Sequence, residues 1–296
     1  MMNILENSRL KVVTDSLGAQ LMEIKSTKGA DYIWNGDTRY WNGRAPNLFP
    51  YVGRLTEQSY ILNGVKRNMG IHGFARQSEF TVTARTDSSI TYTMSENEST
   101  LECYPYYFIF HIMYVLTGNK LEIRNSVENR DKETMYFGLG GHPGFHVPIS
   151  HDLEKGLKFE DYYLEFDRAS MPTLVGISDD CFVSGHDVSM PLEQDRIIRL
   201  KHSLFDIDAI ILKNMPPSVV LKSDLSSEAV TVSYPDMKYL GIWHKPRTDA
   251  PFVCIEPWTS LPSRKGVVED FACQSDLIRL SPGAVYHNTW SIETVD

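Results

Sequence analysis

The sequence has 296 residues, enough for one large β domain or two ordinary domains, and 42% of them are hydrophobic, which suffices for a buried core. The formal net charge is −9 and no cluster of lysine and arginine occurs, which argues against nucleic acid and anionic membranes as partners. The longest apolar run, 106–116, is interrupted by His111 and falls short of the roughly 18 residues that indicate a membrane span.

The first ten residues lack the apolar core of a secretory signal. None of the four cysteines forms a C-x-x-C pair, so neither a zinc ribbon nor a redox motif is indicated. We therefore expect a cytoplasmic protein that acts as a monomer or homodimer on a small molecule. The cysteines are Cys103, Cys181, Cys254 and Cys273.

Strand patterns dominate the first third of the chain. Residues 8–26 predict two strands around a turn at Ser16-Leu17-Gly18. Residues 60–67 predict a hairpin, because Asn63-Gly64 is the preferred two-residue type I′ turn. Residues 79–94 alternate apolar and polar side chains on either side of a turn. Irregular backbone is expected between these elements, at 31–41 and 46–54.

The same pattern continues to the end of the chain. Residues 108–116 are apolar at successive positions and predict a central strand that is covered on both faces. Residues 218–234 and 277–292 each predict two strands around a turn. Helix signals are few, and short turns are expected at 190–196 and 262–270. The prediction is an all-β, predominantly antiparallel single domain, 1–296, with two sheets packed face to face.

The most unusual stretch lies at 137–148 and reads FGLGGHPGFHVP. Its glycines and prolines exclude a helix interior, but they let a backbone pass close to a small molecule. His142 lies between Gly141 and Pro143 in this stretch. Histidine is a frequent acid or base in catalysis and also an ordinary polar residue, so the position by itself leaves both roles open.

Two other residues stand in comparable surroundings. His72 lies in a second glycine-rich segment, and Glu256 ends an apolar run before a Pro-Trp pair. A carboxylate at the end of a buried strand is rarely left unpaired, so Glu256 either pairs with Arg264 or Arg54 or lies in a functional pocket. Our hypothesis is that His142, His72 and Glu256 meet in one groove and act on a sugar.

Asp208 opens a further apolar run, which suits a strand end that faces a groove, and Asp206 competes for the same role. Arg54 ends a segment rich in proline and glycine, where its charge can hold a ligand hydroxyl or orient a carboxylate. His111 and His146 are interpreted as structural, with a supporting role next to the site left open for His146, and Trp243-His244 is a weaker aromatic candidate for the site.

Several cofactor and nucleophile motifs are absent from the sequence. It has no G-x-x-x-x-G-K-[ST], no H-E-x-x-H and no G-x-S-x-G. Residues 138–144 contain G-x-G, but the third spaced glycine and a following helix pattern are missing, which argues against a dinucleotide site. No cofactor and no metal are therefore expected.

Taken in order, these segments resemble the aldose 1-epimerase (mutarotase) family, and within it the shorter, LacX-like branch. The resemblance extends from Gly18 to about Trp290. It depends on four motifs: Ala45-Pro46…Phe49-Pro50…Gly53-Arg54, Gly70-x-His72-Gly73-Phe74-Ala75-Arg76, Gly140-Gly141-His142-Pro143-Gly144-Phe145 and Ile255-Glu256-Pro257-Trp258.

The resemblance implies a galactose mutarotase-like antiparallel β-supersandwich with few short helices. It assigns Glu256 as the general base and His142 as the general acid. It also makes His72 and Arg54 the pair that positions the substrate, and Asp208 the carboxylate that binds sugar hydroxyls. The residues around these positions depart from the galactose mutarotase pattern, so the resemblance identifies the reaction better than the sugar.

These residue types suit the opening of a cyclic hemiacetal, which needs one proton removed from the anomeric hydroxyl and another given to the ring oxygen. A glutamate with a pKa near 4.3 is ionised at neutral pH, and a nearby carboxylate is expected to keep His142 protonated. Closure of the ring after rotation about C1–C2 gives the other anomer.

Three alternatives remain open from the sequence. Two histidines and a carboxylate also suit an iron or zinc site. A sugar-binding β-sandwich without turnover would keep the aromatic residues and Asp208 but would not need Glu256. An epimerase for sugar phosphates, such as a hexose 6-phosphate, would need cationic groups, for which the candidates are Arg76, Lys245 and Arg247.

Overall fold

The computed structural model describes residues 1–296 and is built almost entirely of antiparallel strands, which confirms the predicted all-β class. The strands are β1 Met2–Glu6, β2 Leu10–Asp15, β3 Leu21–Ser26, β4 Asn47–Leu48, β5 Ser59–Leu62, β6 Val65–Asn68, β7 Thr81–Arg85, β8 Ser89–Ser95, β9 Phe108–Thr117, β10 Lys120–Asn129, β11 Met135–Phe137, β12 Gly140–Gly141, β13 Gly144–His146, β14 Tyr162–Phe166, β15 Thr173–Leu174, β16 Val188–Ser189, β17 Ile197–Arg199, β18 Ile210–Lys213, β19 Ser218–Ser223, β20 Ala229–Ser233, β21 Tyr239–Trp243, β22 Phe252–Trp258, β23 Ile278–Leu280 and β24 Val285–Val295.

The helices are short. They are α1 Glu98–Cys103, α2 Ser150–Glu154 and four 3₁₀ segments, Thr56–Gln58, Ala75–Gln77, Phe159–Asp161 and His202–Phe205. None has the length or the apolar character that a bilayer crossing requires. The segments 190–196 and 262–270, each expected to hold a short turn, do form turns, and neither turn continues into a helix.

Helix α1 begins at a capping box that the sequence pattern did not indicate. The Asn97 side chain accepts from the Thr100 N–H at 3.0 Å, and the Thr100 hydroxyl accepts from the Asn97 N–H at 2.8 Å. The usual signature has glutamate or glutamine at the position of Thr100, which explains why this helix was missed.

Two large sheets organise the chain. The nine-stranded sheet has the order β17-β14-β19-β20-β24-β10-β9-β8-β7, and the eight-stranded sheet has the order β16-β15-β18-β21-β22-β12-β4, with β13 also paired to β22. The hairpin predicted at 60–67 is confirmed as β5 and β6, with positive φ at both Asn63 and Gly64. The strands predicted at 79–94 and 218–234 are confirmed as the pairs β7–β8 and β19–β20.

The main hydrophobic core joins both large sheets, because it contains Phe110 of β9 together with Val253 and Ile255 of β22. The Phe110 ring lies 4.6 Å from that of Phe49, which follows β4. The expectation that 108–116 is covered on both faces is wrong. Buried and half-buried residues alternate along β9, with Phe110 buried and His111 half-buried. Strand β22 is the one that is buried at every position.

Candidate active site

Strand β22 presents two chemically different faces. Val253 and Ile255 point into the main core. Since successive side chains of a strand alternate, Cys254, Glu256 and Trp258 share the opposite face. This alternation places the carboxyl group of Glu256 on the face of β22 that is turned away from the main core, where it is still buried.

The glycine-rich stretch runs antiparallel to β22. Gly140 pairs with Trp258 and Gly144 pairs with Cys254, so His142 and Pro143 lie between two paired positions, beside Glu256. The Ile255 N–H donates to the Pro143 carbonyl at 3.1 Å. This pairing brings two residues that are distant in the chain together, and His142 Nε2 lies 3.2 Å from Glu256 Oε2.

Glycine is required at Gly140 because the Trp258 ring packs directly on the backbone. A Cβ atom at this position would lie 2.7 Å from the indole Cδ1, closer than side chains tolerate. The close approach fixes the strand that precedes His142 against the strand that carries Glu256.

His72 is held by its own backbone and by Gly53. Its N–H donates to the Gly53 carbonyl at 2.9 Å, and the Gly53 N–H donates to His72 Nδ1 at 3.1 Å. Because Nδ1 accepts this bond, the neutral ring carries its proton on Nε2. His72 has a φ of 63°, an uncommon conformation for a residue with a side chain. Its ring centroid lies 5.5 Å from that of His142.

Asp208 lies at the cavity and Asp206 does not, which decides between the two aspartates on position. Asp206 is exposed, does not line the cavity, and its side chain makes no hydrogen bond. Asp208 Oδ1 accepts from the Ala209 N–H at 2.9 Å, and the Cys181 thiol donates to Oδ2. These two bonds hold the carboxylate in place beside the predicted site.

A single cavity of about 540 Å³ brings together every residue predicted to act. Its size falls in the range of small-molecule sites. Trp41 stacks on His142 with ring centroids 5.0 Å apart, and Trp243 meets His142 edge-on at 5.7 Å. The predicted residues that line the cavity are Arg54, His72, His142, Asp208 and Glu256, joined by Gln20, Arg76 and Cys181.

Glu256 has no cationic partner from an arginine or lysine. Arg264, which the sequence offered as a partner, binds Glu269 through two bonds of 2.8 Å instead. Glu256 is 1% exposed and its Oε2 atom makes no hydrogen bond. His142 is 8% exposed, and its Nδ1 atom also makes no hydrogen bond. The functional-pocket interpretation of Glu256 is therefore favoured over the structural ion pair.

Burial controls the charge of this pair. Burial first, and then the negative charge of Asp208, raise the pKa of Glu256 well above its usual value. Burial, with a smaller contribution from the charge of Arg76, lowers the pKa of His142 to about 3. The expectation of an ionised Glu256 beside a protonated His142 is wrong for the free protein, since burial favours a neutral carboxylic acid beside a neutral imidazole.

Cys254 and Cys181 were missed as candidate site residues. Cys254 lies two positions before Glu256, and strand periodicity alone places both on one face. Ligand atoms of His142, Cys254 and Glu256 lie within 4.8 Å of one another, whereas His72 is outside this group. A metal ion at this position would thus be bound by His142, Cys254 and Glu256, and His72 would not be a ligand. No local pattern identifies Cys181, which comes from a separate loop.

The remaining histidines lie away from the reacting pair. His111 shares a 2.7 Å hydrogen bond with Thr93 on the outer face of β9. His146 packs edge-on against Trp34, with ring centroids 5.5 Å apart. His244 is buried and contacts His202 at 3.1 Å, so only Trp243 of the predicted Trp-His pair lines the cavity.

Comparison with known proteins identifies the relatives of this chain. The profile of the aldose 1-epimerase family matches residues 1–289. This chain belongs to the aldose 1-epimerase family. The plasmid-encoded LacX protein of Lactococcus lactis subsp. lactis is 34% identical over 267 residues, which cover 87% of each chain.

Two solved structures support the same assignment for this aldose 1-epimerase family member. A galactose mutarotase related enzyme from Lactobacillus acidophilus has a TM-score of 0.93 at 34% identity, covering 99% of this chain and 97% of its own. A galactose mutarotase-like protein from Lactobacillus casei has a TM-score of 0.93 at 31% identity, covering 99% and 100%. The galactose mutarotase-like fold and the LacX-like resemblance are confirmed.

Proposed function

We propose that this protein is an aldose 1-epimerase that interconverts the α and β anomers of a hexose by general acid–base ring opening. The observation that carries the proposal is the 3.2 Å separation of His142 Nε2 and Glu256 Oε2 on the wall of a cavity of about 540 Å³, a volume typical of small-molecule sites. Both side chains are buried and retain unused hydrogen-bonding atoms. The family of this chain supports the same reaction.

In this mechanism the pair carries one proton in total. With the proton on His142, the Glu256 carboxylate removes the proton of the anomeric hydroxyl as C1=O forms. The C1–O5 bond breaks with its electrons moving to O5, which takes the proton of His142. Rotation about C1–C2 and the reverse steps then give the other anomer.

Ring opening leaves Glu256 protonated and His142 neutral, which is the state that burial favours in the free protein. The cavity therefore stabilises the open-chain state relative to the ion pair that precedes it. Transfer of the proton from Glu256 to His142 starts the reaction, and hydrogen bonds from the sugar to the carboxylate promote this transfer.

The other cavity residues suit a polyhydroxylated ring. His72 Nε2–H and the Arg54 guanidinium are donors, and the Asp208 carboxylate is an acceptor. Trp41 and Trp243 provide apolar surface next to His142. A sugar ring needs both kinds of contact, since its edges carry hydroxyls and its faces carry C–H groups.

Anomer exchange measured by polarimetry and by NMR on freshly dissolved α-glucose and α-galactose tests the proposal. We expect acceleration over the spontaneous rate, unchanged by a chelator. If no sugar in a panel of aldoses is accelerated but sugars still bind, the protein is a carbohydrate-binding module. Loss of activity with the chelator would support the metal alternative.

A further inference from the structure

Three chemically different metal-ligating groups meet beside the cavity. Ligand atoms of His142, Cys254 and Glu256 lie within 4.8 Å of one another, and all three residues are buried. Cys254 and Glu256 share one face of β22, and His142 belongs to the glycine-rich stretch that pairs with this strand. Backbone pairing therefore holds the ligands together, so no mobile loop has to bring them into place.

The spacing of the acid–base pair matches that of two ligands on one zinc ion. Zinc bonds to imidazole nitrogen and carboxylate oxygen are about 2.0–2.2 Å long, so tetrahedral geometry places two such atoms about 3.3 Å apart. His142 Nε2 and Glu256 Oε2 are 3.2 Å apart. One ion can thus bind both atoms without separating the two side chains.

The thiol of Cys254 is close enough to complete the set. A zinc–thiolate bond is about 2.3 Å long, which places the sulfur about 3.6 Å from a nitrogen or oxygen on the same ion. The ligand atoms of the three residues are at most 4.8 Å apart, so the sulfur needs to move by about 1.2 Å at most. The result is a site with three protein ligands and one remaining position for water.

The cavity gives an ion access to this site. His142 and Glu256 line the cavity, whereas Cys254 has no exposed surface and does not line it. An ion that enters through the cavity therefore meets the imidazole and the carboxyl group before the thiol. Glu256 Oε2 makes no hydrogen bond within the chain, so the ion does not have to displace a protein donor from it.

The ligand set selects the kind of metal. Thiolate and imidazole suit zinc, whereas magnesium and calcium prefer sites made of oxygen atoms. A histidine that holds a resident zinc ion usually donates its second ring N–H to a carboxylate or carbonyl, and His142 Nδ1 has no such partner. We therefore expect weaker binding than in a dedicated zinc centre, and removal of the ion by a chelator.

We propose that zinc binds to His142, Cys254 and Glu256 and reversibly inhibits the enzyme. The inhibition rests on the proposed function, whereas the metal binding does not. On binding, the ion releases to solvent the proton of the Cys254 thiol and the proton that His142 and Glu256 share. The zinc-bound carboxylate cannot accept the proton of the anomeric hydroxyl, and the zinc-bound nitrogen cannot donate to the ring oxygen.

Inhibition is measured by exchange NMR with the aldose that is turned over best. Zinc chloride and magnesium chloride are compared, and each rate is divided by the rate of the same protein in a chelator. We expect zinc to inhibit in competition with the sugar, because both use the same atoms, and magnesium to have no effect. A rate that zinc raises, or inhibition that the sugar does not relieve, would overturn the proposal.

Replacement of the thiol separates this site from zinc bound elsewhere on the protein. Cys254→Ser removes the sulfur ligand at nearly constant size. We expect it to raise the inhibition constant of zinc by more than about 100-fold, since loss of an outer partner of a ligand already costs about 10–100-fold. Cys273→Ser is the matched control, because Cys273 is exposed and lies outside the cavity. Equal inhibition of the wild type and Cys254→Ser would contradict the assignment of the ligands.

Cobalt provides a readout that does not depend on turnover. A bond between Co²⁺ and a thiolate gives a charge-transfer absorption band in the near ultraviolet. We expect this band in the wild type and in Cys273→Ser, and its loss in Cys254→Ser, with circular dichroism confirming that each variant is folded. No band in an active wild-type enzyme would overturn the metal site and leave the proposed function intact. The band in a protein that turns over no sugar would support the metal site while the proposed function fails.

Discussion

Glu256 and His142 are two ionisable side chains withdrawn from water and placed within reach of one another. We expect Glu256→Gln and His142→Asn each to lower kcat by about 10²–10⁴, because each removes one proton-transfer group at nearly constant shape. Exchange NMR measures the rates, and circular dichroism confirms the fold. Near-wild-type turnover by Glu256→Gln would disprove the assignment of the base.

The shared proton also determines the pH dependence. Burial lowers the pKa of His142 to about 3 and raises that of Glu256, so the pair holds a single proton across the whole interval between them. We expect kcat/KM to stay level well below pH 6.5 and to fall only near pH 3 and above the raised pKa of Glu256. An acid limb centred near pH 6.5 would show that His142 titrates as an ordinary histidine.

Asp208 provides a test of binding as distinct from chemistry. Asp208→Asn should raise KM by about 10–100-fold with a smaller change in kcat, since a charged acceptor for sugar hydroxyls is lost while the proton-transfer pair remains. Asp206→Asn is the matched control, because Asp206 is exposed and outside the cavity. Steady-state kinetics of both variants test this prediction. Equal KM values for Asp208→Asn and Asp206→Asn would show that Asp208 does not bind the substrate.

At the scale of the strands, the site depends on how closely β12 approaches β22. Gly140→Ala would place a methyl group 2.7 Å from the Trp258 ring, and we expect a loss of about 1–3 kcal/mol in the free energy of unfolding, with reduced activity as His142 shifts. Urea denaturation measures the loss. Gly70→Ala is the control, since a Cβ there meets nothing within 4 Å.

Local pattern predicted the hairpins well, because the pairing of β5 with β6 is set by residues that are adjacent in the sequence, above all the Asn63-Gly64 turn. The covering of a strand is not local. Residues 108–116 are nearly all apolar, yet only the face that carries Phe110 enters the core. Composition could not distinguish the covered face from the half-exposed one.

The candidate site also combines features that the sequence predicts with features that only the fold determines. The sequence marked His142 and Glu256 as unusual, and the family resemblance supplied their roles. Their 3.2 Å separation comes from the pairing of Gly140 and Gly144 with β22, which spacing along the chain does not encode. The charge state was missed for a related reason, since the pKa values of side chains in water take no account of burial in a folded protein.

At the scale of the whole molecule, stability depends on the core shared by the two large sheets. Phe110→Ala should cost about 3–5 kcal/mol in the free energy of unfolding, because this buried ring packs against Phe49 from across the core. Ile109→Ala, on the half-exposed face of the same strand, should cost clearly less. Urea denaturation of both variants tests whether β9 has one interior face or two.

Strand β22 supplies apolar side chains to the interior and reacting groups to the cavity from alternate positions. A slip of its pairing by one residue would drive the carboxyl of Glu256 among aliphatic groups and turn Ile255 outward, so the interior and the cavity would be spoiled together. Molecules that fold compactly but lack a working site are disfavoured by this arrangement. Reaching the native fold and gaining chemical competence are, for this chain, one and the same event.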